Sequence, residues 1–153
     1  MDHKINTCIK CNIGYKLING KCILNHSINA TYYTSINKYM NIINNNFWIE
    51  EIYIDGIKSN KPSIGYTFQG PSYHNIIILM NISKNDSIYG MFMNIKDLIS
   101  ISFTSLFNTS NIYNIGHIFN KGCTYLKSVN LSSFDTSKIT WFCHMFKGCE
   151  NIE

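Results

Sequence analysis

The chain contains no arginine, only nine acidic residues and two prolines. All 13 of its basic residues are therefore lysine. Bidentate reading of base edges and phosphates relies on guanidinium. The lysines are dispersed and no basic stripe carries stacking aromatics, so no nucleic-acid partner is expected. Scarce acids also limit acid–base chemistry. Glu50 and Glu51 are adjacent and would face opposite sides of a strand, which rules them out as a carboxylate pair. His74, His117 and His144 are isolated, and Cys143 and His144 point apart from one element rather than forming a dyad. No phosphate loop, nucleophile elbow or His-Glu-x-x-His pattern is present. The protein is not expected to be an enzyme, and no catalytic residue, cofactor or metal is assigned. The run Ile76-Ile77-Ile78-Leu79-Met80 falls far short of the roughly 18 residues that span a bilayer. It reads as a buried strand, so membrane association would come only through regions absent from this chain. Met1 to Thr7 lacks the parts of a secretory signal. Together with a stop at Glu153 inside a repeat, this reads as a piece of a longer protein.

What the chain has in excess is isoleucine, about one residue in six, and asparagine, about one in seven, against far lower ordinary usage. Ile, Asn, Lys and Tyr share A/T-rich codons, so genome bias explains most of this. Hydrophobic content of 45% is that of a folded chain, with room for one domain or two small modules.

The last half repeats. Met91-Phe92, Ile118-Phe119 and Met145-Phe146 are separated by 118 − 91 = 27 and 145 − 118 = 27 residues. Phe107-Asn108-Thr109-Ser110 returns as Phe134-Asp135-Thr136-Ser137, and 134 − 107 = 27 again. A period of this size marks a solenoid whose units bury their apolar faces on one another. Leu126 to Leu131 alternates as a half-buried strand, with Val129 and Leu131 inward and Ser128 and Asn130 outward. Ile139, Phe142 and Phe146 follow at i, i+3 and i+7, one helical face closed by Lys147-Gly148. The preceding copy has Leu98, Ile101 and Phe103 as strand and Ile112, Ile115 and Phe119 as helix. The pattern on Phe119, Gly122, Cys123, Leu126, Val129, Leu131, Phe134, Thr136, Ser137, Ile139, Met145, Phe146, Gly148 and Cys149 resembles the BspA-like leucine-rich repeats of surface proteins. That resemblance implies an extracellular or cell-surface location and adhesion to a host surface.

Cys8, Cys11 and Cys22 crowd the start. Turn chemistry at Gly14-Tyr15 and Asn19-Gly20 favours a small disulfide loop. Zinc remains open, with His3 or His26 as the fourth ligand. The segment resembles the tail of an EGF-like, cysteine-rich module. The resemblance implies that Cys11 pairs with Cys22 and that Cys8 pairs with a cysteine upstream, in an oxidising compartment. Cys123 and Cys149 are repeat-equivalent and read as small buried hydrophobes, with a Cys143–Cys149 bridge as the alternative.

The expectation is thus an α+β chain. Residues 1–26 form a disulfide-bonded cysteine-rich tail, 27–75 a small antiparallel β cap, and 76–153 strand-turn-helix leucine-rich repeats. Trp48 and the Tyr32-Tyr33 pair are read as core packing. Contact with a protein or glycan partner would fall to the exposed strand positions Ser100, Ser102, Ser128 and Asn130. Asn25, Asn29, Asn81 and Asn85 lie in N-x-S/T sequons and are candidate glycosylation sites. The function expected is a non-enzymatic surface binding or adhesion module. The alternatives are a structural spacer within a larger surface protein, or an intracellular scaffold stabilised by zinc.

Overall fold

The computed structural model describes residues 26–44, 49–82, 87–105 and 107–153, with the backbone of two short strands, β1 (Tyr15–Ile18) and β2 (Lys21–Leu24). These two pair antiparallel with Ile18 opposite Lys21. Eight further strands follow: β3 (Ser27–Thr34), β4 (Lys38–Asn41), β5 (Ile49–Ile54), β6 (Ile57–Lys58), β7 (Gly65–Phe68), β8 (Ser72–Met80), β9 (Leu98–Phe103) and β10 (Ser128–Asn130). A six-stranded sheet runs in the order β10-β9-β3-β8-β5-β6, and β4 pairs with β7 in a separate ribbon.

Alternation builds the main sheet. On β3, Ile28, Ala30 and Tyr32 are buried, while Asn29, Thr31 and Tyr33 take the other face. On β8, Ile76, Ile78 and Met80 face inward beside them. Leu98, Ile101 and Phe103 of β9 complete this inner face. The Asp55-Gly56 pair joins β5 to β6 with φ of 50° and 82°, the doubly positive geometry of a tight hairpin turn. β9 lies antiparallel to β3, whereas β10 lies parallel to β9 with Val129 opposite Ile101.

The α+β solenoid expectation is corrected here, because the described residues contain no helix. Ile112, Ile115 and Phe119 are buried, but on turns and extended backbone. The physical reason lies in where the backbone N–H groups go. An α-helix would send each to the carbonyl four residues back. Here Phe92 donates to the Ile118 carbonyl at 2.8 Å and Asn94 to Asn120 at 3.0 Å. His117, Phe119 and Lys121 likewise donate to Cys143, Met145 and Lys147, at 2.9, 2.9 and 3.0 Å. The 27-residue period is therefore a hydrogen-bonding interval between copies, with every second residue bonded outward as in a parallel ladder.

Left-handed backbone makes the pattern incompatible with helix. Gly90, His117 and His144 have φ of 63°, 57° and 55°, and Asn94, Lys121 and Gly148 have 66°, 57° and 84°. Both sets recur every 27 residues, and a helix cannot continue through such a position. Abundant Ile, Asn and Ser, poor helix formers, oppose helix at the same places.

Rings stack across the copies. Phe92 and Phe119 lie 5.8 Å apart and nearly parallel, and Phe119 and Phe146 lie 5.4 Å apart. Phe107 and Phe134 repeat this at 5.9 Å. The last copy is the most exposed: Trp141, Phe142, Phe146 and Ile152 all reach solvent.

The expected N-terminal disulfide loop is also not seen, since no disulfide is present among the described residues. Cys123, Cys143 and Cys149 are free thiols, which removes the Cys143–Cys149 bridge. Cys8 and Cys11 lie outside the described residues, and Cys22 sits on β2 with no described side chain.

Candidate functional site

The outer face of the six-stranded sheet is a floor of short polar side chains. Parallel pairing sets Ser128 beside Ser100 and Asn130 beside Ser102. The β3–β9 register then brings Asn29 opposite Ser102 and Thr31 opposite Ser100. Asn75 follows on β8, opposite Thr31. Together with Ile77 these residues line a shallow depression of about 460 Å³. All four strand positions expected to make contact, Ser100, Ser102, Ser128 and Asn130, thus share one surface. Their hydroxyl and amide groups can donate and accept hydrogen bonds but carry no charge.

The floor ends in tyrosines. Tyr33 and Tyr73 are cross-strand partners on β3 and β8, with ring centroids 4.8 Å apart. With Tyr125, Ser35, Asp97, Ile99, Lys127 and Asn151 they line a groove of about 420 Å³. Its walls are tied together by the backbone. Tyr33 N–H donates to the Asp97 carbonyl at 3.0 Å and Lys127 N–H to the Ile99 carbonyl at 2.8 Å. Glu153 N–H donates to the Lys127 carbonyl at 2.9 Å, and the Asn151 amide donates to the Thr124 carbonyl. The Asp97 carboxylate accepts from Lys38 Nζ at 2.6 Å, which holds it in one orientation.

Tyr33 corrects the reading of the Tyr32-Tyr33 pair as core. Tyr32 is buried, with its hydroxyl donating to the Ile42 carbonyl, while Tyr33 stands half-exposed in the groove. Adjacent strand residues must face opposite ways, a signal available in the sequence. Tyr73, Tyr125 and Asn151 had no such signal, since distant segments bring them together. Trp48 lies outside the described residues.

The remaining candidates are structural. The Cys123 thiol is pushed up to about 12 by burial first and by the neighbouring Cys149 second. Cys149 is raised by burial. Both stay protonated at neutral pH and donate to the Phe92 and Phe119 carbonyls, at 3.1 and 3.2 Å. His144 packs edge-on against His117 at 5.1 Å, and Cys143 accepts from the Trp141 indole N–H at 2.7 Å. His117 is held below its ordinary value by desolvation first, then by His144, Lys121 and Lys147. Among the described residues no group of three His, Cys, Asp or Glu side chains could hold a metal ion. No described helix is long and apolar enough to cross a membrane.

Among the sequons, Asn29 is exposed in the middle of the polar floor, so a glycan there would cover it. Asn81 is exposed just beyond β8, and Asn25 and Asn85 lie outside the described residues. A further cleft of about 480 Å³ opens on the last copy among Leu131, Phe134, Ile139, Phe142, Met145 and Phe146. It is almost wholly apolar and has few groups to orient a ligand.

A family model described as DUF285, Mycoplasma protein of unknown function, matches residues 63–153, more than half of the chain. Neither the curated proteins nor the solved structures give a match. The family match corrects both resemblances read from the sequence. The family covering the repeats is DUF285, without the strand-turn-helix units of leucine-rich repeats. Its match begins at Ser63, well past the cysteine segment read as EGF-like, and nothing else supports that module.

Proposed function

The chain belongs to the DUF285 family of Mycoplasma proteins of unknown function, and on that premise we propose that it is a non-enzymatic binding module. It acts at the cell surface or outside the cell and presents the outer face of its sheet to a protein or glycan partner. The observation carrying this reading is the polar floor. Side chains from β10, β9, β3 and β8 converge on one depression without contributing to the core. Short hydroxyl and amide side chains at fixed strand spacing form a preorganised array of donors and acceptors, which lowers the ordering cost of binding. The buried, protonated Cys123 and Cys149 thiols and the self-paired histidines leave no activated nucleophile or base on this surface.

Binding of the labelled protein to cultured cells tests the proposal. Ser102→Lys combined with Ser128→Lys places two long charged side chains on the floor while leaving the inner face untouched. Saturable binding should fall by about tenfold or more, as expected when a central contact patch is spoiled, with an unchanged circular dichroism spectrum. Undiminished binding would refute the assignment of this face. A spacer predicts no saturable binding from the outset.

A further inference from the structure

Tyrosine rings exposed beside a polar floor call for an explanation in terms of what would cover them. Tyr73 is 65% and Tyr125 61% exposed, although each could contribute apolar area to a core. We propose that the groove lined by Tyr33, Tyr73 and Tyr125 binds a neutral oligosaccharide. This inference rests on the sheet-face binding function above and names its partner class.

The chemistry of the groove matches a sugar ring on both counts. A pyranose has an apolar face of C–H groups that packs against an aromatic face, and a rim of hydroxyls that needs donors and acceptors. Tyrosine offers an apolar body with a polar tip, at low conformational cost. The Asp97 carboxylate, steadied by Lys38 at 2.6 Å, is an acceptor for sugar hydroxyls. Ser35, Lys127 and Asn151 supply further polar groups. Tyr33 follows Asn29 and Thr31 at every second position of β3, and Tyr73 precedes Asn75 on β8. The groove therefore runs on into the polar floor, where further sugar units would meet hydroxyl and amide groups.

Charge and backbone pairing narrow the partner. Lys38 already neutralises Asp97, and the lining has no cluster of cations of the kind an acidic glycan would demand. A peptide would gain most of its affinity by adding a strand to a sheet edge. The strand beneath the groove, β3, is paired on one side with β8 and on the other with β9, so it offers no free edge. The groove volume of about 420 Å³ lies within the usual range for small-molecule sites.

The test applies the full chain to an array of neutral oligosaccharides built from glucose, galactose, mannose and N-acetylglucosamine, with acidic oligosaccharides as the contrast set. The strongest neutral binder is then titrated calorimetrically into the unaltered protein and into Tyr73→Ala and Tyr125→Ala. Both rings are exposed, so each variant should keep its circular dichroism spectrum, and each should weaken binding by about tenfold or more. No neutral binder, binding confined to acidic sugars, or affinity unchanged in both variants would overturn the proposal. The cell-binding assay separates the two levels. Loss with Ser102→Lys and Ser128→Lys but no oligosaccharide binding overturns the glycan and leaves the sheet-face reading. Cell binding unchanged by every substitution overturns both.

Discussion

Replacing Phe119 by alanine should be among the most damaging single changes available to this protein. Its ring is fully buried between Phe92 and Phe146, at 5.8 and 5.4 Å, with interplanar angles of 16° and 12°. Truncating such a side chain removes its transfer free energy and leaves a cavity, a loss of about 3–5 kcal/mol. The two ring contacts place this site toward the upper end, since each aromatic pair adds about 0.5–1.5 kcal/mol beyond area. Against a total stability of about 5–15 kcal/mol, that is a large fraction. In a chain of this size each kcal/mol lowers Tm by about 2–4 °C, so the fall should be roughly 6–20 °C. Phe146→Ala provides the internal control. Phe146 is 39% exposed and stacks on Phe119 from one side. Losing it should cost about 1–2 kcal/mol, the part-buried area plus one ring contact. Urea denaturation of both variants, with equal m-values, supplies the comparison. If Phe146→Ala were as costly as Phe119→Ala, stacking between copies would not be what holds this half of the molecule together.

Alkylation with iodoacetamide under native conditions at neutral pH should label exposed Cys143 and spare Cys123, which is buried and pushed up to about 12; mass spectrometry showing Cys123 labelled at a comparable rate would contradict its burial. Tyr32→Phe should cost about 1–2 kcal/mol, because it leaves the Ile42 carbonyl short of a donor inside the core; thermal unfolding at unchanged secondary structure measures it. The Asp135 carboxylate is held below the usual aspartate range by the Ser137 hydroxyl and then the Ser137 N–H, the latter at 2.9 Å. A depressed folded pKa contributes stability that is present above the unfolded value of about 3.9 and is lost as pH falls through the folded one. Asp135→Ala should therefore lower the urea midpoint at neutral pH and converge with the unaltered protein in strong acid; a gap that widens on acidification would reverse the assigned sign.

The repeat shows how far local reasoning reached. The period, the inward Val129 and outward Ser128 and Asn130, and the buried strand at Ile76–Met80 were all legible, because period-2 alternation and equal spacing are properties of the string itself. Phe142 and Phe146 at helical spacing were misleading. The same i, i+3, i+7 residues can be spaced along a chain that turns at each left-handed position, and periodicity alone does not separate the two. Nothing local records that the N–H of Phe119 finds the carbonyl of Met145 rather than one four residues back.

The sequence by itself determined which residues repeat, which strand positions alternate and where Asp55-Gly56 turns, since each follows from side-chain type and spacing within a few residues. Only the tertiary structure decided that the copies join by parallel backbone pairing, and that β3 sits between β8 and β9. It also decided that Tyr33, Tyr73, Tyr125 and Asn151 share one groove. These are pairings between residues far apart in the chain. Their free energy depends on how backbone donors and apolar rings from several segments are satisfied together, which no single stretch of sequence encodes.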